Sequence, residues 1–227
     1  MTSLVSGARR QRRRLLVINP NTNGAVTAQI RGAALAAAPP GTEIDVVNPK
    51  HGPFAIETPR DRAEAVPNVV SLIEARRNEG FDGYVLACFD DIGVEEAREL
   101  VPVPVVSMFG AGVAKGLQTG GRFAIITTVE SAVAGIERLA AAYGVAHLCT
   151  VHAAGVGVAE TAARTPLAEA CLAASIERAM AKDHAAAIVL GSGALTGRAD
   201  TLAKRFGIPF IDGLTAAIVS ADGSLGS

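Results

Sequence analysis

Val85-Leu86-Ala87-Cys88, which continues into Phe89-Asp90-Asp91, decides the fold because it returns 104 residues later as Val189-Leu190-Gly191-Ser192. Each stretch is an apolar run that breaks into small and polar residues, the pattern of a buried strand with its exit loop. Two further matches follow in the same order. Leu16-Val17-Ile18-Asn19 pairs with Ala124-Ile125-Ile126-Thr127 at an offset of 108, and Val103-Pro104-Val105-Val106 with Ile208-Pro209-Phe210-Ile211 at 105. Collinear matches at nearly constant spacing mark a duplicated unit.

Around these anchors, strands are expected at 15–18, 44–47, 84–87, 104–107, 123–126, 146–152, 187–190 and 209–211. Helical stretches over 27–38, 61–78, 131–143, 166–182 and 198–206 alternate with them. Strands this short and apolar need cover on both faces, which parallel sheets with crossover helices supply. The expected fold class is α/β: two similar doubly wound lobes, each a short parallel sheet flanked by helices, with the active-site cleft between them. Residues 15–110 with about 208–219 are assigned to the first lobe and 111–207 to the second. Residues 1–14, which carry Arg9, Arg10, Arg12, Arg13 and Arg14, read as a disordered tail, and 221–227 as a frayed end.

Composition removes several functions. The 227 residues hold 21 basic and 22 acidic side chains, a net charge of −1, so the basic face that nucleic acid requires is missing. A 4% aromatic content without Trp also disfavours base-stacking platforms. No apolar window is long enough for a membrane span, and the run 15–18 is too short for a signal peptide. Cys88, Cys149 and Cys171 are odd in number and form no Cys-x-x-Cys, so neither a disulfide framework nor a zinc site is expected, and a reducing cytoplasm is the simplest location. His51, His147, His152 and His184 lack metal-ligand spacing, and Gly191-Ser192-Gly193 is neither a dinucleotide fingerprint nor a P-loop. The expected partner is a small-molecule substrate, with no cofactor and no metal.

Ligands of parallel sheets sit beyond the carboxyl ends of the strands, so loops starting at Asn19, Cys88, Thr127 and Ser192 are expected to line one site. Asn19, Pro20, Asn21, Phe89, Asp90, Thr127, Thr128, Gly193 and Ala194 are its candidate substrate-binding residues. Asn21 and Thr22 are good helix caps, and Thr127 with Glu130 has capping-box spacing, so two helix starts would offer amides to a polar ligand. A thiol such as Cys88 has a reference pKa of about 8.5, which nearby helix-start amides lower. It is the candidate base or nucleophile, whereas Cys149 and Cys171 are assigned to the core. Asp90 and Asp91 are adjacent and so rarely converge; one of them is expected to cap a helix.

These motifs together resemble the aspartate/glutamate/hydantoin racemase superfamily, most closely its hydantoin and allantoin racemase branch, over roughly residues 14–219. The family's I-N-P-N-T opening stands here as Ile18-Asn19-Pro20-Asn21-Thr22, with Thr27 following. Gly52-Pro53-Phe54-Ala55-Ile56-Glu57, Ala87-Cys88-Phe89-Asp90-Asp91 and Gly207-Ile208-Pro209-Phe210-Ile211-Asp212 match its later motifs. Two positions depart. Ser192 in Ile188-Val189-Leu190-Gly191-Ser192 stands where the family has its second catalytic Cys, and Gly110 stands at a family Glu.

The resemblance implies a homo-oligomeric, cofactor-independent racemase in which Cys88 and position 192 work on opposite faces of a substrate α-carbon. Ser192 leaves three readings open. The chain is a racemase of a 5-substituted hydantoin or allantoin, Ser192 then being natural or a Cys→Ser change. Alternatively it is a one-cysteine isomerase or decarboxylase acting on a small dicarboxylic acid, or a non-catalytic binder of small acids.

Overall fold

The computed structural model describes residues 12–224. Its first sheet holds β1 (Arg13–Ile18), β2 (Thr42–Val47), β3 (Gly83–Leu86) and β4 (Val105–Ser107), all parallel, in the order β2-β1-β3-β4. The second sheet repeats this with β5 (Phe123–Thr127), β6 (Cys149–Ala153), β7 (Ala187–Leu190) and β8 (Phe210–Asp212) in the order β6-β5-β7-β8. The registers agree as well. Leu16 pairs with Tyr84 as its counterpart Ala124 pairs with Ile188, and Tyr84 pairs with Val105 as Ile188 pairs with Phe210. The sequence duplication is therefore a duplication of topology.

Helices α1 (Gly24–Ala37), α2 (Pro59–Arg76), α3 (Val94–Leu100) and α4 (Met108–Leu117) belong to the first half of the chain. The second half contributes α5 (Glu130–Ala142), α6 (Val158–Ala162), α7 (Pro166–Asp183), α8 (Ala199–Phe206) and α9 (Gly213–Ser224). They bury both faces of the sheets: Leu15, Leu16, Val17 and Ile18 of β1 and all of β7 are inaccessible to solvent. Local signals set the ends. Thr58 and Asp61 form a reciprocal capping box at the start of α2, with Pro59 in the first turn, where its missing N–H costs nothing. Strand β6 starts at Cys149 rather than at 146, because the turn after α5 uses the backbone N–H groups of Val145 and Leu148.

The two halves exchange their last helices. Helix α4 leaves the first sheet to pack on β7, β8 and α9, while α9 leaves the second sheet to pack on β3, β4 and α1. The helices cross where a side chain has no room: a Cβ on Gly213 would stand 2.8 Å from the Met108 carbonyl oxygen, and one on Gly112 would stand 3.2 Å from the Gly213 Cα. This corrects the lobe boundary expected near 208. Strand β8 completes the second sheet just as β4 completes the first, and the return to the first lobe begins only at Gly213.

Both ends need correction too. Of the expected tail, residues 1–11 lie outside the described residues, whereas Arg13 and Arg14 belong to β1. The Arg14 N–H donates to Asp82 Oδ2 at 2.8 Å, and the Arg13 guanidinium pairs with Asp222 at 3.4 Å. At the other end, 225–227 lie outside the described residues, but Ala221 and Asp222 are buried in α9, where Asp222 Oδ1 accepts from Thr42 Oγ1 at 2.9 Å. The Arg13–Asp222–Thr42 group pins the C-terminal helix to the first sheet. Cys149 is buried as expected, whereas Cys171 on α7 is only half-buried.

Among the described residues no helix is long and apolar enough to cross a membrane, and no group of three His, Cys, Asp or Glu gathers as metal ligands would.

Candidate active site

The loops leaving β1, β3, β5 and β7 meet at the seam between the lobes. They frame a small, partly open cavity. Asn21, Cys88, Phe89, Asp90, Thr127, Thr128, Ser192, Gly193 and Ala194 all line it. Asn19 and Pro20 do not. Asn19 is buried, and its Nδ2 donates to Asn21 Oδ1 at 2.9 Å and to Thr27 Oγ1 at 3.0 Å, so it positions Asn21.

Helix α1 is capped by Asn23, one residue past the expected Asn21 and Thr22. Asn23 Oδ1 accepts from Ala25 N at 3.0 Å, while Asn21 Oδ1 takes the Asn23 N–H at 3.0 Å. Thr22 Oγ1 donates instead to the Pro53 carbonyl at 3.2 Å, which ties this loop to the 52–57 segment. The capping box expected of Thr127 and Glu130 does not form. Helix α5 is entered from Val129 without a side-chain cap, which leaves Thr127 and Thr128 as buried wall residues.

Neither Asp90 nor Asp91 caps a helix. Asp90 Oδ2 accepts from Arg62 Nε of α2 at 2.9 Å, and the second oxygen, Oδ1, is buried without a hydrogen-bond partner among the described residues. Asp91, at φ 52°, turns the other way to accept from Ser107 Oγ and from Tyr143 Oη at 3.0 Å. Adjacent residues have diverged, as the chain geometry requires. Tyr143 also explains the space at Gly110: a Cβ there would lie 3.0 Å from its ring, so the ring fills the volume that a Glu side chain would enter.

Burial pushes the Cys88 thiol up to about 12, helped by the negative charge of Asp90. The Asp90 backbone N–H favours the thiolate, as does the more distant Arg62, yet both are outweighed. This reverses the expectation that neighbouring amides lower it, because taking the half-buried thiolate out of water costs more than one N–H returns. Burial likewise raises the carboxyls of Asp90, against Arg62, and of Asp91, against Ser107 and Tyr143. Ser192, almost buried, accepts the Ala194 N–H on its Oγ at 3.3 Å, which directs its own hydrogen elsewhere.

Several wall residues carried no local signal in the sequence. Ala132 and Ile136, one turn apart on α5, and Val158 on α6 supply the apolar side. Ile56 sits in the 52–57 segment, whose Glu57 reaches across the seam: Glu57 Oε1 accepts from Val158 N at 2.8 Å, and the Glu57 carbonyl accepts from Ser131 Oγ. Arg62 is the other residue missed, since only the fold brings α2 under the Cys88 loop.

Fold and site together define a pseudosymmetric, two-lobed α/β protein in which a thiol and a hydroxyl at matching strand ends share a cavity at the junction of the halves. The chain belongs to the Asp/Glu/Hydantoin racemase family, whose model matches residues 15–221. It is 38% identical over 212 residues to the hydantoin racemase of Rhizobium meliloti, covering 93% of this chain and 88% of that protein. The allantoin racemase of Klebsiella pneumoniae superposes with a TM-score of 0.88 at 37% identity, covering 93% of this chain and 86% of that one. The allantoin racemase of Pseudomonas fluorescens gives the same TM-score, 0.88, at 31% identity, with coverages of 92% and 89%.

Proposed function

We propose that the protein is a cofactor-independent racemase of a small ureide or amino-acid derivative, a 5-substituted hydantoin or allantoin. The observation that carries this reading is the presence of Cys88 and Ser192, at equivalent strand ends of two equivalent lobes, in the wall of one cavity. The similarity to hydantoin and allantoin racemases supports the substrate class.

Racemisation requires a base on one face of the α-carbon and an acid on the other. Cys88 takes the first role. Its thiolate removes the α-proton, the electron pair moves into the neighbouring carbonyl, and main-chain N–H groups of the two loops stabilise the oxyanion that forms. Proton return on the opposite face, by Ser192 or by a water it holds, gives the other enantiomer; solvent then reprotonates the serine oxygen or hydroxide, and the Cys88 thiol gives up its proton to solvent, which restores the starting state. Acceptance of the Ala194 N–H by Ser192 Oγ suits Ser192 to donate rather than to abstract. Glu57, bonded across the seam to Val158 N and Ser131 Oγ, joins the lobes beside this cavity.

The test is loss of optical rotation of a 5-substituted hydantoin and of allantoin, with the given chain, Ser192→Cys and Cys88→Ala. Racemisation by the first two and none by the third supports the reading. If neither the given chain nor Ser192→Cys changes rotation above background, it is discarded.

The hydroxyl at position 192 favours one second reading, one-sided chemistry through Cys88 on a small dicarboxylic acid. Under it, Cys88→Ala abolishes isomerisation or decarboxylation of that acid, while Ser192→Ala merely slows it.

A further inference from the structure

We propose that Gln29 is a positioning residue for the Ser192 face: by tying the Ser192 loop to the opposite lobe, it fixes where the hydroxyl stands relative to Cys88. The inference rests on the racemase reading above and names a residue through which the first lobe places the second lobe's reactive group.

Gln29 lies on α1 of the first lobe. Its Nε2 donates to the Ala194 carbonyl at 3.0 Å and to the Thr196 carbonyl at 2.9 Å, both just past Ser192 in the second lobe. One amide group thus spends both hydrogens on one short loop. The loop transmits this hold to Ser192 because it is bonded to itself. Leu195 N donates to the Ser192 carbonyl at 3.0 Å, Thr196 N to the Gly193 carbonyl at 3.3 Å, and Ala194 N to Ser192 Oγ at 3.3 Å. On the far side Asp212 accepts from Thr196 Oγ1 at 2.7 Å and from Gly197 N at 2.5 Å. The loop is therefore clamped between its own lobe, through Asp212, and the other lobe, through Gln29.

Removal of Gln29 acts selectively. The Cys88 loop is held by Arg62 and Ser107 of its own lobe, with Tyr143 reaching across the seam. The contacts of Glu57 with Val158 and Ser131 still join the lobes. Without Gln29, two carbonyls lose their cross-lobe donor, and the Ser192 loop keeps only its packing on Val26, Ile30 and Ala87 of the first lobe, contacts that do not fix its orientation as hydrogen bonds do, while Cys88 stays placed.

The experiment follows each enantiomer of a 5-substituted hydantoin in D2O, separating inversion from deuterium exchange with retained configuration. In Gln29→Ala and Gln29→Leu, inversion falls about tenfold, the scale of a small misplacement of a reacting group. Exchange with retention on the enantiomer deprotonated by Cys88 stays within about twofold, by the same argument. Gln29→Glu, which sets a carboxylate against two carbonyls, behaves like Gln29→Ala or worse. A proportional fall of both rates, or unchanged inversion, overturns the proposal. Backbone amide exchange of residues 193–197 is measured in parallel: faster exchange in Gln29→Ala at unchanged Tm supports the tie, and unchanged exchange overturns it. Should the wild-type chain neither invert nor exchange the hydantoin, the racemase reading falls, while the amide measurement still decides whether Gln29 holds the loop.

Discussion

Cys88 and Ser192 occupy the same place in the two halves of the chain. Each stands two residues past the end of the third strand of its lobe, Leu86 in β3 and Leu190 in β7, and those residues pair with Ile18 and Ile126 at equivalent ends of the central strands. Pseudosymmetry brings a thiol and a hydroxyl to one cavity, and their chemical inequality governs the first outcome.

A thiol is the better proton carrier at position 192, with a reference pKa of about 8.5 that makes both of its forms accessible near neutral pH. Ser192→Cys is expected to raise the rate of hydantoin racemisation at least about tenfold, the scale on which a positioned acid or base acts. Polarimetry at fixed enzyme concentration checks it.

The Cys88 thiol, held up to about 12, is protonated at neutral pH, and its thiolate fraction grows about tenfold per pH unit below that value. For the enantiomer deprotonated by Cys88, kcat/KM is therefore expected to climb with pH and to show no plateau below about pH 10, since it reports the free enzyme. Asp90→Asn removes a negative charge beside the thiol and leaves Arg62 favouring the thiolate, so the whole limb moves to lower pH. Iodoacetamide alkylation of the ligand-free protein, corrected with Cys88→Ala for Cys149 and Cys171, gives an independent reading: Asp90→Asn is alkylated faster at pH 8.

The crossing of α4 and α9 has no slack. Gly213→Ala drives a Cβ to within 2.8 Å of a main-chain oxygen and is expected to cost about 1–3 kcal/mol as the helices separate. Gly112→Ala, whose nearest contacts start at 3.2 Å, costs less. Thermal unfolding ranks the two variants.

Asp212 accepts four hydrogen bonds, from Thr196 Oγ1, Gly197 N, Leu214 N and Thr215 N. In Asp212→Asn one acceptor oxygen becomes an NH2 group that faces at least one of those donors. A loss of about 1–3 kcal/mol in urea unfolding is expected, with slower racemisation as the Ser192 loop loosens.

Regular elements were legible where the apolar pattern was strong and local. Strands such as 187–190 and the long helix after Thr165 fall close to their expected positions, because burial of a parallel strand and capping of a helix are written in a few adjacent residues. Loops whose hydrogen bonds come from afar were not legible. Thr127 looks like a cap until α5 starts from Val129, and Asp91 looks like one until Ser107 and Tyr143 claim its carboxylate. Gln29, an ordinary polar residue on a helix, shows nothing of the two carbonyls it serves.

By itself the sequence determined that this chain is a doubled α/β unit and that Cys88 and Ser192 are counterparts, since both facts follow from the order and spacing of short apolar runs along one chain. Only the tertiary structure decided that α4 and α9 change lobes, that Arg62 lies beside Asp90, and that the Cys88 thiol is raised rather than lowered. Those outcomes depend on which surfaces are removed from water together, and desolvation and charge are properties of neighbours in space, not of neighbours in sequence.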